Sequence, residues 1–195
     1  MYMKRIILLL SVILMMSGCD VAKQLGGAFN MTQCKYDYNS ISNLAVGGVD
    51  LSQGLSLASI TRLTQLFTGN ISSLPLNFNV NVDVTNPNTT AAFLNGMQYI
   101  LSIDGVQFTT GSLNQTLNIA SGEKQTMPLT LGFDVAQLLT GNTKDAVLNI
   151  VKNFVGIGSE KSQVTLQIKP SFQIGNSLIP SPVYIPISFA FGGGK

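Results

Sequence analysis

The chain has 195 residues, 45% hydrophobic and only 10% charged, with eleven basic and nine acidic side chains, two cysteines, and neither histidine nor tryptophan. That is enough for one domain of ordinary size with a substantial core, and it does not have the composition of a disordered segment. Without histidine there is no Ser-His-Asp or Cys-His nucleophilic site, and the commonest zinc ligand is missing.

Lys4 and Arg5 precede an apolar run from Ile6 to Met16, broken only by Ser11 and followed by Ser17-Gly18-Cys19. This layout predicts a secretory signal peptide over residues 1–18. The run is too short to span a bilayer, which takes about 20 apolar residues. The small residues before the cysteine resemble the bacterial lipobox, which implies cleavage ahead of Cys19 and lipidation of its thiol. Loss of Lys4 and Arg5 leaves nine basic residues against nine acidic ones. No basic run survives, so nucleic acid is not an expected partner. The expected partner is a membrane, held through acyl chains that contribute about 0.8 kcal/mol per buried methylene. The expected location is the cell envelope, at the outer membrane or the periplasmic face of the inner membrane. With Cys19 lipidated, Cys34 has no intrachain disulfide partner. It is either a small buried hydrophobe or an exposed thiol.

Residues 19–40 read as the lipidated cysteine and a tether, with Gly26-Gly27 and no clear alternation. From 41 to 191 the pattern is that of one domain. Leu44, Val46, Val49 and Leu51 suggest a first strand bent at Gly47-Gly48. Ser56 caps a short helix in which Leu57, Ile60, Leu63 and Phe67 form the packing stripe. In NFNVNVDV (77–84), Phe78, Val80, Val82 and Val84 alternate with polar residues, and Asn86-Pro87-Asn88 ends the strand. Pro87 has no N–H and restricts Asn86 before it, and Asn88 can close the turn. A hairpin is expected at Asp104-Gly105, between strands of 96–104 and 106–110. A short strand follows over 113–120. Met127, Leu129, Leu131 and Phe133 form another, which Pro128 places at an edge. One helical turn begins at Val135. A second helix is expected with Val147, Val151, Phe154 and Val155 on one stripe, ending at Gly156. Val164, Leu166 and Ile168 start a long strand that Pro170 interrupts and Phe172 and Ile174 resume. Val183, Ile185, Ile187, Phe189 and Phe191 form the last strand, and 192–195 is a frayed tail.

Strands with one apolar and one polar face, mostly without crossover helices, predict an all-β fold. The expected architecture is an antiparallel β-sandwich of immunoglobulin or fibronectin-III type with two short helical insertions.

The nine carboxylates are scattered singly, and several sit beside glycine turns or at a helix start. No phosphate-cradling loop, metal set or cofactor motif is present. Tyr184 is the main candidate for an aromatic platform among polar strand faces that carry Asn77, Asn79, Asn81, Gln98, Ser102, Thr130, Thr165 and Gln167.

The order NFNVNVDV, Asn86-Pro87-Asn88, Tyr99-x-Leu101-x-Ile103 into Asp104-Gly105, Gly111 and PLTLGFDV resembles the WHy domain of the group-2 late-embryogenesis-abundant proteins. The match is good over Asn77–Val135 and looser in the flanks. The resemblance implies a fibronectin-III-like sandwich, no enzymatic activity, and an association with tolerance of drying. It makes Asn86, Pro87 and Asn88 structural positions and supplies no catalytic residue. The expected function is therefore that of a non-catalytic, membrane-anchored envelope lipoprotein, stress-protective or structural. The alternatives are a binding module for a lipid, a glycan or an envelope protein, and a hydrolase in which two of the carboxylates face one bond.

Overall fold

The computed structural model describes residues 22–53, 56–59, 61–62, 72–138, 149–150, 152–154 and 158–193. A helix, α1 (22–33), leads into eleven strands. These are β1 (Lys35–Val46), β2 (Val49–Asp50), β3 (Pro75–Thr85), β4 (Ala92–Leu94), β5 (Gly96–Ile103), β6 (Val106–Leu113), β7 (Leu117–Ile119), β8 (Lys124–Asp134), β9 (Lys161–Ile174), β10 (Ser177–Pro180) and β11 (Ile185–Gly192).

The first sheet has the order β2-β1-β3-β8. The second has the order β10-β9-β5-β6, with β11 also paired to β9, and β4 and β7 form a small ribbon. All pairings are antiparallel. The molecule is an all-β antiparallel sandwich, as the alternation of apolar and polar residues predicts. Phe78, Val80, Val82 and Val84 of β3 are buried, facing a layer that includes Leu101, Ile103, Leu166 and Ile168. Removing each such side chain from water contributes about 1.5–3 kcal/mol.

Aromatic pairs join the two sheets near both edges. Tyr38 on β1 stacks on Phe189 of β11, with ring centroids 3.8 Å apart and planes 10° from parallel. Phe108 on β6 meets Phe133 of β8 edge-on at 5.1 Å.

Tight turns follow local chemistry. Gly47 and Gly48 have φ of 55° and 77°, which makes a two-residue hairpin turn where a bend in one strand was expected. Asp104 and Gly105 (φ 50° and 79°) form the expected hairpin between β5 and β6. β8 lies at the edge of its sheet, consistent with Pro128.

Pro170 does not interrupt its strand, because β9 runs through it. The opposing register explains why. Pro180 pairs with Ser171 and Ile185 with Ile168, so the chain passes from β10 to β11 opposite Lys169 and Pro170. No ladder donor is needed there, and the Pro170 carbonyl accepts from Ser181 N at 2.7 Å.

Ser56 caps its helical turn reciprocally with Ser59: Ser59 N donates to Ser56 Oγ at 3.0 Å, and Ser56 N to Ser59 Oγ at 2.7 Å. Leu57 is 82% exposed, so it does not belong to a packing stripe. Ile60, Leu63 and Phe67 lie outside the described residues. Of the second stripe, Phe154 is buried, 5.0 Å from Phe78 and 4.7 Å from Phe191 between ring centroids. Val147, Val151 and Val155 lie outside the described residues.

Within the stretch expected as a tether, residues 22–33 are helical (α1), and β1 begins at Lys35, six residues before the expected domain boundary at 41.

Candidate functional site

Asn86 organises the exit of β3. Its side chain is fully buried, and Nδ2 lies within hydrogen-bonding range of the carbonyls of Thr90 (2.9 Å), Ile119 (3.0 Å) and Ala120 (3.1 Å). Its backbone N–H donates to Glu123 O, and its carbonyl accepts from Gly122 N. Asn86 Oδ1 accepts from the backbone N–H and the amide of Asn88, at 3.0 and 2.8 Å. Pro87 is exposed at the bend. One buried amide thus joins the β3–β4 loop to the β7–β8 turn, where backbone groups would otherwise lack partners.

Asn88 turns outward from this knot to α1. Its Nδ2 donates to Asn30 O at 3.0 Å. The last carbonyls of a helix have no partner within it, and α1 finds them nearby. Asn30 O also accepts from Cys34 Sγ, and Met31 O accepts from Tyr36 Oη at 2.7 Å and from Cys34 N. On the other side, Asn30 Nδ2 reaches Thr90 Oγ1 at 2.6 Å and Ala91 O at 3.1 Å. At the start of the helix, Gly175 N in the β9–β10 turn donates to Gln24 Oε1 at 2.9 Å.

The packed face of α1 is small: Gly27, Ala28 and Met31 are buried. Gly27 lies against the Phe93 ring so closely that any Cβ would overlap it, whereas Gly26 faces open space. A glycine inside a helix costs about 0.5–1 kcal/mol relative to alanine, and at Gly27 the close seat on β4 offsets this. The helix and β4 border a groove of about 550 Å³ lined by Ala22, Lys23, Gly26, Gly27, Ala91 and Phe93 among others. Cys19 lies three residues ahead of Ala22, the first described residue of α1, and is outside the described residues.

Cys34 is buried, and desolvation pushes its thiol pKa up to about 11. Burial likewise pushes the Tyr36 hydroxyl well up.

Two of the described carboxylates, Asp83 and Asp134, are held by fixed donors. Asp37 stands opposite Asp83 across β1 and β3, but Asp83 is committed. Its Oδ2 pairs with Lys124 Nζ at 2.6 Å, Thr126 Oγ1 donates to Oδ1 at 2.7 Å, and Asn39 Nδ2 lies 3.1 Å from both oxygens. The Lys124, Thr126 and Asn39 donors hold its pKa down at about 2. Ionised and saturated with donors, it has no proton to transfer near neutrality. Asp134 accepts from Ser73 Oγ, Leu74 N and Ala136 N, which lower its pKa in a strand-end turn. Among the described residues no group of three His, Cys, Asp or Glu converges as a metal site requires, and no helix is long and apolar enough to cross a membrane.

Tyr184 is 39% exposed, with Lys169 Nζ 5.3 Å from its ring centroid. It borders a cleft of about 450 Å³ on the second sheet with Gln98, Thr110 and Ser112.

The chain thus forms an antiparallel sandwich whose strand exit is tied by a buried amide to an N-terminal helix. Residues 81–183, more than half of the chain, match the family model described as late embryogenesis abundant protein, and the chain belongs to that family. None of the curated proteins matches it at a significant level. Among solved structures it is similar to a crystal structure of a protein from Archaeoglobus fulgidus, at 15% identity over 82% of this chain and 99% of that one, with a TM-score of 0.41. It is also similar to the solution structure of AT1g01470 from Arabidopsis thaliana, at 10% identity over 83% and 79%, with a TM-score of 0.42.

Proposed function

We propose that the protein is a non-catalytic lipoprotein of a bacterial envelope, anchored through Cys19, whose sandwich of the WHy type serves a stress-protective or structural role. The observation that carries this reading is the Asn88–Asn30 connection. The chain leaving Cys19 enters a helix clasped to the sandwich by Asn88, Asn30 and Gln24, so an anchor at Cys19 would hold the domain itself close to the bilayer. The full donor complement of Asp83 supports the non-catalytic half.

The test is to express the full chain with radiolabelled palmitate and count thiols in denaturant. Lipidation predicts label in the membrane fraction, one titratable thiol (Cys34), and loss of the label in Cys19→Ser. Two thiols and no label would remove the anchor. The stress role predicts that the purified protein preserves a labile enzyme through drying better than an equal mass of albumin, and equal or poorer protection would remove it.

A second reading, a glycan-binding module, is favoured by the Tyr184 cleft, where an aromatic ring stands beside amide and hydroxyl groups. It predicts that Tyr184→Ala abolishes retention on immobilised cell-wall polysaccharide without changing stability. Absence of retention by the unaltered protein would dismiss it.

A further inference from the structure

Seven large hydrophobic side chains are exposed among the described residues, and they are not scattered. Leu25 and Phe29 lie one turn apart on α1; Leu178, Ile179, Val183 and Tyr184 lie on β10 and the segment after it. Only Leu57 lies elsewhere. The two elements meet at the hydrogen bond from Gly175 N to Gln24 Oε1, which brings the start of α1 to the turn that leads into Leu178 and Ile179. Single exposed apolar residues need no explanation, but a group of them marks a contact surface.

Charge singles out the same end. Residues 170–184, which hold β10 and the segment after it, contain no charged side chain, and α1 carries Lys23 and no acid. The acid nearest α1 in the sequence is Asp20, two residues ahead of Ala22. β10 is a four-residue edge strand that ends at Pro180-Ser181-Pro182, and prolines lack the N–H that pairing with another strand requires. Edge-to-edge addition of a second copy is therefore poorly served. Cys19, the anchor point of the reading above, lies three residues ahead of Ala22 in α1.

We propose that this end is a bilayer-docking face: α1 lies in the headgroup–acyl boundary with Leu25 and Phe29 toward the lipid, and the edge strand β10, exposed on both faces at Leu178 and Ile179, enters beside it edge-on. The inference rests on the anchored reading above and adds a fixed orientation to it. Acyl chains alone leave a domain free to tumble on its tether. An apolar face of this kind is a second, independent membrane signal. The Asn88–Asn30 and Gln24–Gly175 hydrogen bonds transmit that orientation to the sandwich.

The test uses the full chain, purified from membranes and reconstituted into vesicles of phosphatidylethanolamine and phosphatidylglycerol. Nitroxide labels go on Phe29→Cys, Ile179→Cys, Leu57→Cys and Thr130→Cys in turn; all four positions are exposed, and the native Cys34 is buried. The expected result is several-fold higher oxygen collision, relative to a water-soluble nickel chelate, at 29 and 179 than at 57 and 130. Vesicle flotation with water-like values at all four positions overturns the docking face and leaves the anchor standing. Failure to float overturns both. Spin–spin broadening at 29 or 179, without lipid exposure, assigns the face to a second copy and overturns the proposal.

Discussion

Asn88 Nδ2 and the carbonyl of Asn30 lie 3.0 Å apart, although 58 residues separate them in the chain. This bond makes the end of β3 the cap of α1, so the loop that closes a strand also fixes the helix at the N-terminal end of the domain. Asn86 holds the loop from within and Asn88 uses it outward. Neighbouring asparagines therefore have separable roles.

Asn86→Ala is expected to destabilise the domain by roughly 3 kcal/mol or more, because it leaves buried carbonyls and the Asn88 amide without partners. Asn88→Ala is expected to cost about 1 kcal/mol and to speed amide exchange in α1 more than in β9. Urea midpoints and hydrogen exchange check both. Equal loss in the two variants would contradict the division of roles.

Gly26 and Gly27 are adjacent but should respond oppositely. Gly26→Ala meets nothing within 4 Å and is expected to stabilise the helix by about 0.5–1 kcal/mol. Gly27→Val drives side-chain atoms into the Phe93 ring and is expected to cost about 1–3 kcal/mol, with α1 leaving its seat. Thermal melts of the two variants, with helical circular dichroism as readout, decide the matter.

The acid limb of stability belongs in part to Asp83. Its folded pKa, about 2, lies below the ordinary unfolded value of about 3.9, so its contribution is complete above that unfolded value and is lost as pH falls through the folded one. Asp83→Asn is expected to lower stability at pH 7 and to flatten the decline between about pH 4 and 2. Urea midpoints measured across that window would show an unchanged decline if the pairing were unimportant.

Cys34 is expected to be unreactive in the folded protein. Its pKa is raised to about 11 by burial, and its Sγ donates to Asn30 O at 3.4 Å. Alkylation at pH 7.5 should proceed only at the rate of unfolding and become rapid in denaturant. Fast labelling of the native state would mean that α1 opens readily.

Much of the sandwich is legible in local pattern, because a strand has a period of two and the apolar half must face inward. The buried face of β3, the Asp104-Gly105 hairpin and the edge position implied by Pro128 are of this kind. α1 is not, since Gly27, Ala28 and Met31 make too small an apolar stripe to register as a helix. Its seat depends on Phe93 and Asn88, which the fold brings to it from far along the chain. Pro170 reads as a break because a missing donor is visible in sequence, whereas the gap between β10 and β11 that makes the donor unnecessary is not. The same holds for the Asn86-Pro87-Asn88 loop. The amino-acid sequence by itself determined the faces, turns and class of the domain, through side-chain periodicity and backbone restriction. Only the tertiary structure decided which distant carbonyls those two asparagine side chains satisfy, because hydrogen-bond partners across tens of residues are set by how the strands pair.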